Sequence, residues 1–150
     1  MQMNNYPIWW DTTVTVYNRY EDSQTHLIRW YRTVIENCFY KDVGNTININ
    51  NIEVNTNNIV CRIRKDSRYR KPSQWVQIPN DQKENYFTLK PEDIIVVGEI
   101  TEEIDESVDG HRSTDFIKKY KAFGECLTIQ EAGDNTGTGR SPEHYRVNGI

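Results

Sequence analysis

The segment "NTININNIEVNTNN", residues 45–58, constrains the fold more than any other stretch of the chain. Ile47 and Ile49 share one parity, while Ile52 and Val54 share the other. A single straight strand would therefore put the two pairs on opposite faces. A two-residue turn at Asn50-Asn51 instead sets Ile49 across from Ile52 and Ile47 across from Val54, and all four face one side. Asparagine tolerates the positive φ that a type I′ turn requires at both central positions. The segment predicts a β-hairpin, and the pair Asn57-Asn58 predicts a further turn.

Other stretches alternate in the same way. "TTVTVYNRY" places Val14, Val16 and Tyr20 on one side of a half-buried strand, with Thr13, Thr15, Tyr17 and Arg19 on the other. The polar turn "EDSQT" leads into "HLIRWYRTVIENCFY", a long strand with a bulge or bend expected at Glu36-Asn37. "IVCRIRK" turns Ile59, Cys61 and Ile63 inward. "WVQI" predicts a short strand, and "PNDQKEN" a turn region. The apolar run from Ile94 to Val97 cannot alternate, so its strand is expected to be covered on both faces. "CLTIQEA" and "EHYRVNGI" predict two more strands, joined by the Gly-rich loop "GDNTGTGRSP".

One helix is expected, in "STDFIKKYKAFG", over about residues 114–123. Ser113 or Thr114 would cap it, Phe116, Tyr120 and Phe123 would share its packing face, and Gly124 would stop it. Hydrophobic residues make up only 36% of the chain and aromatics 11%, so Tyr and Trp must do much of the filling, which suits pleated surfaces. The expected fold class is mainly β: a small antiparallel β-barrel or sandwich with one α-helix. At 150 residues the chain fits a single domain, 1–150, with a protruding hairpin near 45–56 and charged loops near 62–74 and 99–112.

Groups able to do chemistry are scattered. His26, His111 and His144 stand in no metal-ligating or catalytic spacing. Cys38, Cys61 and Cys126 are odd in number and far apart, and fit buried small hydrophobes in a reducing compartment. "GDNTGTGRSP" lacks the lysine of a phosphate-binding loop and precedes a strand. No catalytic residue, cofactor or metal ligand is assigned on these grounds. No stretch is long and apolar enough to span a membrane, and "MQMNNYPIWWDTT" has neither the basic start nor the apolar core of a signal peptide.

Charge is the sequence's other asymmetry. "CRIRKDSRYRKPSQW" carries Arg62, Arg64, Lys65, Arg68, Arg70 and Lys71 against Asp66 alone, in a chain of net charge −4. From Asp66 onward it loses all periodicity and predicts an exposed loop containing Pro72 and ending at Trp75. Glu99, Glu102, Glu103, Asp105, Glu106 and Asp109 form an acidic run of opposite sign. The two could pair within one chain, or between neighbours in a ring of identical subunits, where a heterologous contact closes. The basic segment could instead bind nucleic acid, with Tyr69 and Trp75 stacking on bases. An inter-subunit or partner contact is ranked above nucleic acid, because the chain as a whole is acidic.

Stretches across most of the chain resemble a group of small structural proteins of tailed phages and prophages of low-GC Gram-positive bacteria. They are "IWWDTTVTVYNRY", "NCFYKDVGN", "NNIVCRI", "NYFTLKPEDIIVVGEI", "GHRSTDFIKKY" and "DNTGTGRSPEHYRVNGI". In arrangement, "EDIIVVGEI", "STDFIKKYKAFG", "CLTIQEA" and "EHYRVNGI" are similar to the buried strand, helix and closing hairpin of head-closure (stopper) proteins. That resemblance implies a non-enzymatic virion protein, made in the host cytoplasm and built into the head–tail neck as a homo-oligomeric ring. Its neighbours would be portal or adaptor proteins and tail-terminator or tail-tube proteins, with genomic DNA passing through unread. The chain is longer than a minimal stopper, which leaves adaptor, tail-terminator or minor capsid roles open. The acidic run could then line the channel, while the basic segment meets a neighbouring ring.

Overall fold

The computed structural model describes residues 6–137, 139 and 142–150, with only the backbone described at 45–47 and 54–57. Asn50 and Asn51 have φ of 53° and 64°, and the register pairs Ile49 with Ile52 and Ile47 with Val54. The two-residue hairpin expected from the parity switch is present. It joins two long strands, β2 (Ile28–Ile49) and β3 (Ile52–Arg64). Asn57 and Asn58 make no turn. They lie within β3, opposite Gly44 and Val43, because the turn at Asn50-Asn51 has already brought a partner strand alongside.

Before β2 runs β1 (Thr12–Glu21), and after β3 come β4 (Ile94–Val97), β5 (Cys126–Asp134) and β6 (His144–Gly149). All pairings among the six strands are antiparallel, and the order β1-β2-β3-β6-β5-β4 closes into a barrel through the β4–β1 contact. The fold class is thus a closed six-stranded barrel, with helix confined to a few short segments. A bulge falls at the expected place. Thr12 pairs with Cys38 and Val14 with Ile35, so β2 carries one residue more than β1, and Asn37 takes up the kink at φ 60°.

Both faces of the sheet are covered near β4, as the unbroken apolar run requires. Ile95 joins Val14, Val16, Ile63, Leu127 and Val147 in the barrel interior. Ile94 and Val96 face outward against Tyr17, Ile104 and Phe116. β1 is for the same reason not half-buried: Thr15 and Tyr17 are fully covered on its second face. The cover is a helix, α2 (Ser113–Lys121), together with the chain before it. Neither Ser113 nor Thr114 caps α2. Its first residue outside is Arg112, and the Ser113 amide donates to Glu106 Oε1 at 3.2 Å. α2 is slightly shorter than expected, so Phe123 falls beyond its end and is 71% exposed, while Ile117 packs beside Phe116 and Tyr120.

The barrel closes tightly at Gly149. A Cβ there would stand 2.2 Å from the Thr128 carbonyl oxygen and 2.9 Å from Leu127 Cδ1. Thr128 and Ile150 exchange main-chain hydrogen bonds of 2.7 and 3.2 Å at this crossing, so the clash is with backbone that cannot swing away. Gly149→Ala is expected to destabilise the barrel by about 1–3 kcal/mol, measured as a lowered urea midpoint with unchanged slope.

Candidate functional site

The basic segment begins on β3 and continues into a loop that the barrel draws onto itself. Arg62 lies 5.5 Å over the Phe39 ring. Arg64 reaches back along β2 to donate to the Asn37 carbonyl at 2.9 Å and to the Trp10 carbonyl at 3.1 Å. Lys65 is exposed and pairs with Glu143 at 3.4 Å. Arg68 forks onto Asp66, with contacts of 2.7 and 3.0 Å, and donates to the Val34 carbonyl at 3.2 Å. Burial works against the charge on Asp66, but the Arg68 guanidinium and amide hold its carboxyl below the usual range. Arg70 donates to the carbonyls of Ser67 and Tyr69, both at 2.8 Å, and stacks over Tyr86 at 4.6 Å. Lys71 alone is an exposed cation with no side-chain partner among the described residues.

The loop is not the uniformly exposed segment its lost periodicity predicts. Pro72 opens a one-turn helix, α1 (Pro72–Trp75), and "WVQI", expected as a strand over 75–78, instead supplies the helix's last residue and then turns. Proline suits the first helical position because its missing N–H has no partner there anyway. α1 delivers Trp75 into the barrel end beside the β1–β2 turn, where it is fully buried and edge-on to Tyr20 at 6.1 Å and Tyr31 at 5.6 Å. Tyr69 stacks on Tyr145 with centroids 4.0 Å apart. The two aromatics that would have stacked on bases are thus packed within the domain.

Around Trp75 lies a polar layer for which the sequence carries no periodic signal. Lys83, in a short 3-10 turn (Lys83–Asn85), is 1% exposed. Its ammonium donates to the carbonyls of Val76 and Ile78 and to Asn80 Oδ1, 4.3 Å from the Tyr20 ring centre. Burial lowers its pKa. Asp93 is completely buried and accepts four hydrogen bonds: from Asn18 Nδ2, the Arg19 amide, the Lys90 amide and Lys90 Nζ. Lys90 Nζ also lies 5.5 Å from the Trp75 ring centre. Every described hydrogen-bonding atom of these two lysines and Asp93 is engaged inward, which makes the layer a fastening of the barrel end.

The acidic loop is fastened elsewhere. Glu102 pairs with Lys119 at 3.3 Å and accepts from the Tyr120 hydroxyl at 2.9 Å. Glu103 pairs with Arg32 at 3.2 Å, and Asp109 with Arg112 at 2.9 Å. Glu106 accepts from Trp30 Nε1 at 3.0 Å as well as from the α2 terminus. Asp105 binds Ser107, whose hydrogen bonds hold its carboxyl low, and Glu99 is exposed. No ion pair among the described residues joins the basic segment to the acidic loop. The acidic loop is a strap that holds α2 over Tyr17.

Among the described residues no group of three or more His, Cys, Asp or Glu side chains is placed to hold a metal ion. His26 stands at the β1–β2 turn beside Glu21, His111 in the acidic loop, and His144 against Trp10 at the start of β6. The three cysteines are free and buried, and burial pushes the Cys38 and Cys126 thiols up to about 12 and about 11. No helix among the described residues is long and apolar enough to cross a membrane.

What remains unsatisfied on the surface is the β2–β3 hairpin. β2 pairs with β1 only as far as Cys38, and β3 pairs with β6 only from Ile59 onward. Among the described residues, from Val43 to Asn58 the two arms therefore pair with each other alone. At the tip, Ile49 and Ile52 are 53% and 65% exposed. The hairpin and the basic loop lie at opposite ends of β3. The expectation of a protruding hairpin came from turn chemistry; its unpaired outer edges appear only once the neighbours' registers are known. Residues 9–150 match a family of unknown function (DUF6751). No curated protein and no solved structure matches the chain.

Proposed function

We propose that this chain, which belongs to the DUF6751 family, is a non-enzymatic structural subunit of the phage head–tail neck that assembles as a ring and helps close the DNA channel. The observation that carries this reading is the order of elements that seals the barrel. A strand buried on both faces (Ile94–Val97) is followed by an acidic strap, a helix and a closing hairpin, which fills the gap between β3 and β4. That is the arrangement expected of a head-closure protein from the resemblance of these stretches. The charges fit a subunit that DNA passes without being gripped. Arg68 spends its donors on Asp66 and the Val34 carbonyl, Arg70 spends its own on carbonyls of its loop, and Tyr69 and Trp75 face inward. Exposed carboxylates along residues 99–109 repel a duplex at close range. Its partners are further copies of itself, portal or adaptor proteins above, and tail-terminator or tail-tube proteins below.

The test is affinity capture of a tagged copy from a phage-producing lysate, with nuclease treatment and identification by mass spectrometry. Portal, adaptor or tail proteins retained after nuclease are expected. Recovery of only DNA and DNA-binding proteins, all lost on nuclease treatment, overturns the neck reading.

A further inference from the structure

A two-stranded ribbon is at best marginally stable in water when nothing packs on it. The arms from Val43 to Ile49 and from Ile52 to Asn58 extend about 20 Å beyond their last barrel neighbours, at roughly 3.3 Å per residue. Among the described residues, both outer edges carry unpaired main-chain donors and acceptors. Proteins usually guard such edges with lysine, proline or inward charge. Residues 43–58 contain no lysine, arginine or proline, and Glu53 is their only charge, in a chain that is 27% charged. The whole chain, at net charge −4, repels a second copy of itself; this arm contributes only the single charge of Glu53.

From these features we infer that the arm is a self-association element: the β2 edge of one copy pairs with the β3 edge of the next. The inference rests on the ring reading and names the contact that closes the ring. β2 and β3 run in opposite directions, so upright copies placed side by side meet as antiparallel strands, the better-bonded arrangement. The same pairing repeats at every junction, which is the condition for a heterologous contact to close. Another copy presents the complementary edge, with Glu53 as its single charge, together with the Ile49–Ile52 tip.

The edge can be blocked without breaking the hairpin. In a two-residue hairpin the residues flanking the turn exchange both main-chain bonds, and the next pair out points its N–H and C=O groups away. That pair is Asn48 and Glu53. Asn48→Pro removes an outward donor from the β2 edge, and Glu53→Pro one from the β3 edge, while the bonds between the arms remain.

The full chain and each variant would be compared by sedimentation velocity and native mass spectrometry from micromolar to millimolar concentration. The unmodified chain is expected to assemble, and each proline variant to remain monomeric with an unchanged melting temperature. An equimolar mixture of the two variants should stop at dimers, because one keeps only a β3 edge and the other only a β2 edge. Hydrogen exchange gives a check that involves no mutation: the Asn48 and Glu53 amides should become protected on assembly. Variants that assemble like the unmodified chain overturn the arm contact and leave the ring reading standing on another interface. An unmodified chain that stays monomeric throughout overturns the arm contact as well, and lysate capture then decides the neck reading separately.

Discussion

Asp93→Ala is expected to lower the unfolding free energy by about 3–5 kcal/mol, the usual result of removing one partner from a buried charge pair. Asp93 is completely buried, and each of its oxygens accepts two N–H groups: Asn18 and the Lys90 amide on Oδ2, the Arg19 amide and Lys90 Nζ on Oδ1. Burial pushes its carboxyl up to about 6 against the pull of Lys90, so at neutral pH it is still the carboxylate that receives those four donors. Alanine takes the carboxylate acceptor from all four. Asn18 Nδ2 and Lys90 Nζ keep the Thr88 and Arg19 carbonyls, but the partly buried Lys90 cation loses its counter-charge and the Arg19 and Lys90 amides lose the partner they had on Asp93. Asparagine recovers part of the loss by keeping one acceptor oxygen, but its amide group would face two donors with donors of its own; Asp93→Asn is expected to cost about 1–3 kcal/mol. Thermal unfolding followed by circular dichroism would show the alanine variant melting roughly 6–20 °C lower, at about 2–4 °C per kcal/mol for a chain this size. A loss below 1 kcal/mol for alanine would remove Asp93 from the fastening of this barrel end.

This layer marks the boundary between what the chain displays locally and what it does not. The Asn50-Asn51 turn, the kink at Asn37 and the double-faced Ile94–Val97 strand all follow from parity, because a strand's faces are set by its own residues. The closing hairpin and the helix position follow in the same way. Partners joined across the barrel leave no such trace. Nothing within a few positions of Asp93 announces that Asn18 will meet it, or that Glu106 will cap a helix in place of Ser113. Asn57-Asn58 shows the converse error. Asparagine permits a turn, but the established ladder opposite Val43 and Gly44 decides the matter.

The charged segments teach the same lesson about sites. Counted along the chain, residues 62–71 form a concentrated cationic stretch; in the fold, Arg64, Arg68 and Arg70 are donors to carbonyls and to Asp66. Reversing Arg68 would set a carboxylate against Asp66 and damage the loop itself. Charge change in this segment probes an outward contact most cleanly at Lys71, whose ammonium stays at the surface; exposed Lys65 already pairs with Glu143. The hairpin, by contrast, drew attention for its turn, while its lack of charge is the feature that bears on association.

Trp75→Ala is the companion expectation, and it separates two uses of the same side chain. If Trp75 served as a stacking platform for bases, its removal would leave stability nearly intact and reduce a salt-sensitive affinity for single strands. As the plug it forms here, fully buried against Tyr20 and Tyr31 with Lys83 and Lys90 over its ring, its loss should cost about 3–5 kcal/mol. The cost is set by the cavity left at the barrel end, since the lysines around it are tethered to carbonyls and to Asp93 and cannot collapse inward. The indole nitrogen has no hydrogen-bond partner among the described residues, so Trp75→Phe loses volume and no hydrogen bond. Phenylalanine should therefore recover more than half of the alanine deficit in urea-unfolding free energy. A Trp75→Ala protein of unchanged stability would mean that the plug is absent in solution and that the basic loop stands open.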